Sequence, residues 1–301
     1  MTSTIKAQRR TQKLRRTFAE ALRTVADVVV GLTPAEHALP IHPDRDIHLL
    51  CTEALRRLTE VRGDLHLSST GHSVARPSTT SPSATRPTTT RPVDLERYAA
   101  QLRSSGDHHD GVLDTAGHDT AGHDTAAVPA EDLVAVIEDL VAGLLDGDLP
   151  PLVDTGAGQL SLLDFLRVQV LEIVLFHDDL ARVLGQGGRA VAAPPVEATA
   201  SAVRTLADIL AARAPGKAIE VRIPPYAAVQ IGDPARAASG VALVPEPAHT
   251  RGTPPAIVET DATTFLRVMS GRLDWADAVA RHAISASGLR TDLSPLLPLV
   301  A

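Results

Sequence analysis

The chain carries one cysteine, Cys51, in 301 residues. A single thiol excludes an internal disulfide and fits a reducing compartment. Basic residues are not in excess either: the formal net charge is −7, whereas a nucleic-acid backbone is met by a basic face. No stretch approaches the roughly 18 consecutive apolar residues of a membrane-spanning helix. The N-terminus is basic, but FAEALRTVADVVVGL is broken by charge and is not the apolar core of a secretion signal. G-x-S-x-G, the Walker loop, G-x-G-x-x-G and paired C-x-x-C are absent, so the enzyme classes they mark have no support. What remains is a cytoplasmic protein of about two domains, at roughly 150 residues per domain.

Helical periodicity dominates the first two thirds. From Lys6 to Gly31, Leu14, Phe18, Leu22, Val25 and Val29 recur at three- and four-residue steps, and Arg9, Arg10, Arg15, Arg16 and Arg23 lie mostly elsewhere. Such a basic amphipathic helix is either a bundle member with a solvated face or a weak peripheral contact with anionic lipid. A second helix, Asp46 to Val61, directs Ile47, Cys51, Ala54, Leu55 and Leu58 inwards, which makes Cys51 a small core residue rather than a nucleophile. Residues 62–128 form an inserted low-complexity loop. Its Ser, Thr and Pro tract cannot repay the entropy of ordering, although Val93 to Ser104 reads as a short helical island around Leu95, Tyr98 and Leu102. DTAGH occurs there twice in tandem. His108, His109, His118 and His123 are either part of a tolerant disordered tract or loose metal-capturing groups.

Pattern resumes at Pro129, with Leu133, Val136, Ile137, Leu140 and Leu144 in a third helix closed by Gly147 and the Pro150–Pro151 pair. Ser161 caps a fourth, through Leu184, that is apolar on most faces and suits the centre of a bundle. Residues 186–195 are a linker. Val196 to Ala214 is a fifth helix with Val203, Leu206 and Leu210 inwards.

Strand, turn and helix signals then alternate at short intervals. Ile219 to Ile223 reads as a strand with Val221 and Ile223 on one face and Glu220 and Arg222 on the other. Pro224 and Pro225 end that strand or force it to a sheet edge. Ile257 and Val258 make a second strand, and Asp261 caps a helix with the stripe Phe265, Leu266, Met269 and a left-handed Gly271. Asp274 caps another helix carrying Trp275 and Val279, and a last strand holds Ile284. This is an α+β unit.

The phrases VRIPP, HTRGTPP, VETD, the F-x-x-x-x-x-G helix end and the SASG turn carry a resemblance. Val221 to Leu299 resembles the C-terminal domain of actinobacterial sterol carrier family proteins, which is related to the SCP2 fold. The resemblance implies a small α/β domain with an apolar cavity for sterols, fatty acids or acyl-CoA. The residues for such a surface are Val221, Ile223, Val229, Ile257, Phe265, Leu266, Trp275 and Ile284, with Tyr226 or Arg251 to hold a head group. The competing reading is that the same apolar side chains are ordinary core and that Arg251 bonds carbonyls freed by the prolines.

A second resemblance rests on VLEIVLFHDDL. Residues 5–185, without the loop, resemble the DinB-like, mycothiol-dependent maleylpyruvate isomerase superfamily. That likeness implies a four-helix bundle holding a divalent metal through a His on helix two and a Glu and a His one turn apart on helix four. Glu172 matches the glutamate, but the position four residues on is Phe176. His177, five residues on, lies about 140° round the helix, and Glu53 stands where the superfamily has histidine. The ligand set Glu53, Glu172 and His177 is therefore degenerate. Otherwise Glu172 is an acid paired with Arg56 or Arg167, and His177-Asp178-Asp179 an exposed polar face.

The chain therefore reads as an α + α/β two-domain protein: a DinB-like four-helix bundle at 5–185, then an SCP2-like α+β domain at 196–301. The function expected is non-catalytic binding of an apolar small molecule or acyl chain, without a cofactor. One alternative is a metal- and thiol-cofactor-dependent transferase or isomerase, the only reading that needs a divalent metal. The other is a structural interaction module.

Overall fold

The computed structural model describes residues 2–42, 45–67, 95, 97–98, 130–155, 158–240 and 256–300. The tandem DTAGH repeat, its histidines, most of the helical island and Arg251 lie outside the described residues. Helix and sheet are mixed, in an α+β arrangement. The described residues divide into two compact units. One takes those in Met1–Val93, Ala126–Leu166 and Asp179–Ala192; the other takes those in Asp94–Thr125, Arg167–Asp178 and Ala193–Ala301.

In the first unit, α1 (Thr2–Val30) buries Leu14, Phe18, Leu22, Val25 and Val29, the stripe read from the sequence. A single turn, α2 (Pro34–His37), is closed by a reciprocal capping box between Thr33 and Glu36. The short strands β1 (Pro40–His42) and β2 (Arg45–Asp46) pair antiparallel before α3 (Ile47–Asp64). Asp46 opens α3 by accepting from the Leu49 amide at 2.8 Å. Ile47, Cys51 and Leu58 of α3 are buried as expected, whereas Ala54 and Leu55 are only half-buried. Helix α4 (Ala130–Asp146) packs against both α1 and α3.

Arginines finish this unit. Arg15 of α1 donates through Nε to the Leu144 carbonyl and through Nη2 to that of Gly147, each at 2.6 Å. These carbonyls have no partner within α4, because the last turn of a helix lacks following amides. Arg62 reaches Asp139 of α4 at 3.0 Å, and Arg189 spans the Gly31 carbonyl and Glu36 at 2.8 and 2.9 Å.

A hairpin that the sequence reading did not anticipate, β3 (Leu152–Thr155) with β4 (Gly158–Ser161), follows the proline pair. Val153 and Leu160 face each other across it and are both fully buried. Ser161 then caps α5 (Leu162–Gln186), accepting from the Asp164 amide at 3.1 Å. This helix contributes to both units, residues 167–178 belonging to the second. His177 and Asp179 are not on an exposed face: they are 3% and 4% exposed. They lie two turns inside a helix that is apolar on most sides, so neighbouring elements cover them.

The second unit has a four-stranded sheet in the order β6–β5–β7–β8, from β5 (Ile219–Ile223), β6 (Ala227–Ile231), β7 (Ile257–Thr260) and β8 (Ile284–Ser287). Strand β5 pairs antiparallel with β6 and parallel with β7. Pro224 and Pro225 form the turn between β5 and β6, where neither has to donate to the ladder. They end the strand and leave β5 inside the sheet. Helix α6 (Val196–Arg213) packs on β6, and α8 (Ala262–Met269) packs on α6. Between them run α7 (Pro234–Ala238) and, after α8, α9 (Trp275–Ala280). Asp261 caps α8 by accepting from the Thr264 amide at 3.0 Å, and Asp274 caps α9. Gly271 follows α8 at φ +72°, the left-handed position expected of it. Where α6 turns into β5, a Cβ on Gly216 would meet the Gly232 Cα at 2.5 Å, so the close approach of the two chain segments depends on glycine.

Candidate functional site

Register decides which residues share a face. Val221 stands between Val229 on β6 and Val258 on β7, and Thr260 pairs with Ile284 on β8. One face of the sheet therefore carries Ile219, Val221, Ile223, Val229, Ile231, Val258 and Ile284, all buried. Phe265 and Leu266 of α8 are buried at 1% and 5% exposure. Six of the candidate side chains are thus interior: Val221, Ile223, Val229, Phe265, Leu266 and Ile284.

The polar groups buried in this unit are mostly consumed locally. The Thr205 hydroxyl donates to the Ser201 carbonyl, Thr260 to Ala283, and Ser270 to Leu266, at 2.7–2.8 Å. Thr264 donates to the Asp261 carboxylate at 2.6 Å. A hydroxyl committed to its own backbone does not compete for a ligand. These bonds leave the layer hydrocarbon in character.

The remaining candidates do not join that face. Ile257 pairs with Glu220 and Ser287 and points to the opposite, more polar side of the sheet. Tyr226 sits half-buried in the β5–β6 turn, its carbonyl accepting from Arg204 Nε at 3.1 Å. Trp275 opens α9 and is half-buried, and Val279 on the same helix is exposed. Arg251 lies outside the described residues.

Two charged features escaped the sequence reading. Arg267, between Leu266 and Val268 of α8, makes a two-pronged pair with Asp178 of α5, Nε to Oδ2 at 2.7 Å and Nη2 to Oδ1 at 2.8 Å. Nothing in sequence joins partners 89 positions apart. Arg213 ends α6 half-buried, and its Nη1 is shielded from solvent with no hydrogen-bond partner among the described residues. Its spacing from Leu206, Ile209 and Leu210 was readable, because steps of three, four and seven residues define one helix face.

Asp261 holds α8 through its charge. Burial resists ionisation, but the Thr264 hydroxyl and the amides of Thr264, Thr263 and Asp261 outweigh it and keep the carboxyl below its ordinary value of 3.8.

Glu53 is ion-paired with Arg45 in the first unit, and Glu172 and His177 lie on α5. Phe176, one helical turn after Glu172, is buried and offers no donor. Of the two arginines proposed for Glu172, Arg56 pairs with Glu60 at 2.6 Å and Arg167 pairs with Asp208. Among the described residues no group of three His, Cys, Asp or Glu side chains is placed to hold a metal ion. Burial, with a smaller push from Asp46, raises the Cys51 thiol to about 11, so it is protonated and unreactive at neutral pH. The first unit also has a surface groove of about 520 Å³ between α1 and α4, edged by Arg23, Asp27, Glu138 and Asp146. No helix among the described residues is long and apolar enough to cross a membrane.

Residues 196–299 match the family model described as bacterial SCP ortholog. The match begins with α6 and includes the whole sheet; residues 1–195 lie outside it. No curated protein matches the chain.

Proposed function

We propose that the protein is a non-catalytic carrier of an apolar small molecule or acyl chain, held by the unit that contains residues 196–299. The observation that carries this reading is the coincidence of the family match with a helix-covered sheet whose buried hydroxyls are spent on their own backbone. A largely apolar layer discriminates poorly between head groups but favours hydrocarbon, at about 0.8 kcal/mol per buried methylene. The acyl chain would lie against Val221, Ile223, Val229, Phe265, Leu266 and Ile284, displacing side chains that are buried without it. Trp275 stands near enough in sequence to α8 to report that movement. Under this reading the protein is cytoplasmic, needs no cofactor, and uses α1, α3, α4 and α5 as a DinB-like four-helix bundle of structural role. The Arg45–Glu53 pair supports that role, because it occupies the carboxylate a metal would need.

The test is titration of the whole protein with a fluorescent fatty acid, followed by displacement with unlabelled fatty acid and sterol. Saturable uptake with a stoichiometry near one, accompanied by a change in Trp275 emission, is the expected result. A linear, non-saturating signal with unchanged tryptophan emission would remove the carrier reading.

A further inference from the structure

We infer that Arg213 is an anchor for an anionic head group, so that the apolar molecule is an amphiphilic acid rather than a neutral lipid. The inference rests on the carrier reading and specifies its ligand class. Helix α6 buries Leu206, Ile209 and Leu210 at 0–1% exposure. Arg213 follows them at the next position of the same face, seven residues after Leu206. An apolar stripe thus ends in a guanidinium. Backbone bonds locate that end: the Ala214 carbonyl accepts from the Gly232 amide at 2.7 Å, and the Ala218 amide donates to Ile231 at 2.8 Å. Arg213 therefore stands where β5 begins and β6 ends, beside the fully buried pair Ile219 and Ile231.

A shielded guanidinium nitrogen without an acceptor is costly, and native proteins seldom leave one. Asp208, five residues before it, and Asp233, next to the Gly232 that bonds Ala214, are already engaged. Asp208 pairs with Arg167, and Asp233 caps α7 while pairing with Arg290 at 3.3 Å. A ligand oxyanion is the group that would satisfy Nη1, and arginine's planar fork suits a carboxylate or a phosphate equally. The chain of such a ligand would extend from Arg213 along the Leu206–Leu210 face of α6.

The experiment measures affinities of the whole protein for palmitic acid, hexadecyl phosphate and hexadecanol by competition against one fluorescent probe. An anion-reading arginine makes the acid or the phosphate bind about tenfold or more tighter than the alcohol, since hydrogen bonds to charged groups are worth about 1.5–3 kcal/mol. Arg213→Met should erase that preference while leaving hexadecanol binding within about twofold, and Arg213→Lys should keep part of it. The stronger of the two anions names the head group. Equal binding of acid and alcohol by the wild type, or a preference that survives in Arg213→Met, overturns the anchor and leaves the carrier reading intact. If none of the three ligands competes, the carrier reading itself fails, and the anchor with it. Arg213→Met removes a half-buried guanidinium of which only Nη1 is shielded without a partner among the described residues, so it should fold about as well as the wild type; should it not, the wild-type ranking and Arg213→Lys still decide the question.

Discussion

Asp261 shows how much one side chain can hold. It terminates β7, accepts from the Thr264 amide and hydroxyl, and thereby starts the helix that carries Phe265 and Leu266. Removing such a cap costs about 1 kcal/mol, so Asp261→Ala should lower the urea-derived stability of the whole protein by about that amount at neutral pH. The pH dependence follows from the direction of its shift. The folded carboxyl titrates below its ordinary value of 3.8, so its stabilisation is complete above that value and is lost as pH falls through the folded pKa. The stability gap between wild type and Asp261→Ala should accordingly be constant from neutral pH down to about pH 5 and narrow below about pH 4. A gap that persists unchanged in acid would mean that the charged form contributes nothing. Glu36 behaves in the same sense, held at about 2 by the Thr33 amide and hydroxyl and by Arg189.

Among elements, α8 is fixed from two directions. Its buried residues rest within the second unit, and its exposed edge is tied to α5 by the Asp178–Arg267 pair. Arg167 makes a second tie, to Asp208 of α6. Positions 167 and 178 are three turns apart and only about 20° out of line, so one face of α5 carries a charge at each end, with Leu171 and Val174 buried between. Asp178→Asn keeps the shape but takes the charge from a half-buried, two-pronged bond, at a cost of about 1–3 kcal/mol. Hydrogen exchange of the α8 amides should speed up in that variant, with α1 and α4 unaffected. The double exchange Asp178→Arg with Arg267→Asp should recover much of the loss, and failure to recover it would mean that the pair is not the interaction being measured.

For the molecule as a whole, the long helix α5 matters most. Its residues 167–178 belong to the second unit and its two ends to the first. Melting α5 therefore takes residues from both units at once. Trp275 is the sole tryptophan and lies in the second unit, whereas α1, α3 and α4 supply much of the far-UV signal of the first. Urea unfolding followed by tryptophan emission and by far-UV circular dichroism should give coincident transitions. Two separated midpoints would show that α5 does not couple the units.

Local chemistry determined much of this protein from its sequence alone. The five long helices, the strands at Ile219, Ile257 and Ile284, the capping roles of Ser161, Asp261 and Asp274, and the left-handed Gly271 were all legible, because each rests on groups within four residues of one another. The hairpin at Leu152–Ser161 and the strand at Ala227–Ile231 were not, since short strands take their definition from a partner. Tertiary structure alone decided that Ile257 lies across the sheet from Val221, because the side-chain period of a strand is two and pairing register sets which face is buried. It also decided that His177 and Asp179 are covered, that Asp178 meets Arg267, and that Nη1 of Arg213 is shielded with no acceptor among the described residues. Burial and long-range pairing depend on which distant elements arrive at a given face, and no periodicity within one helix or strand carries that information.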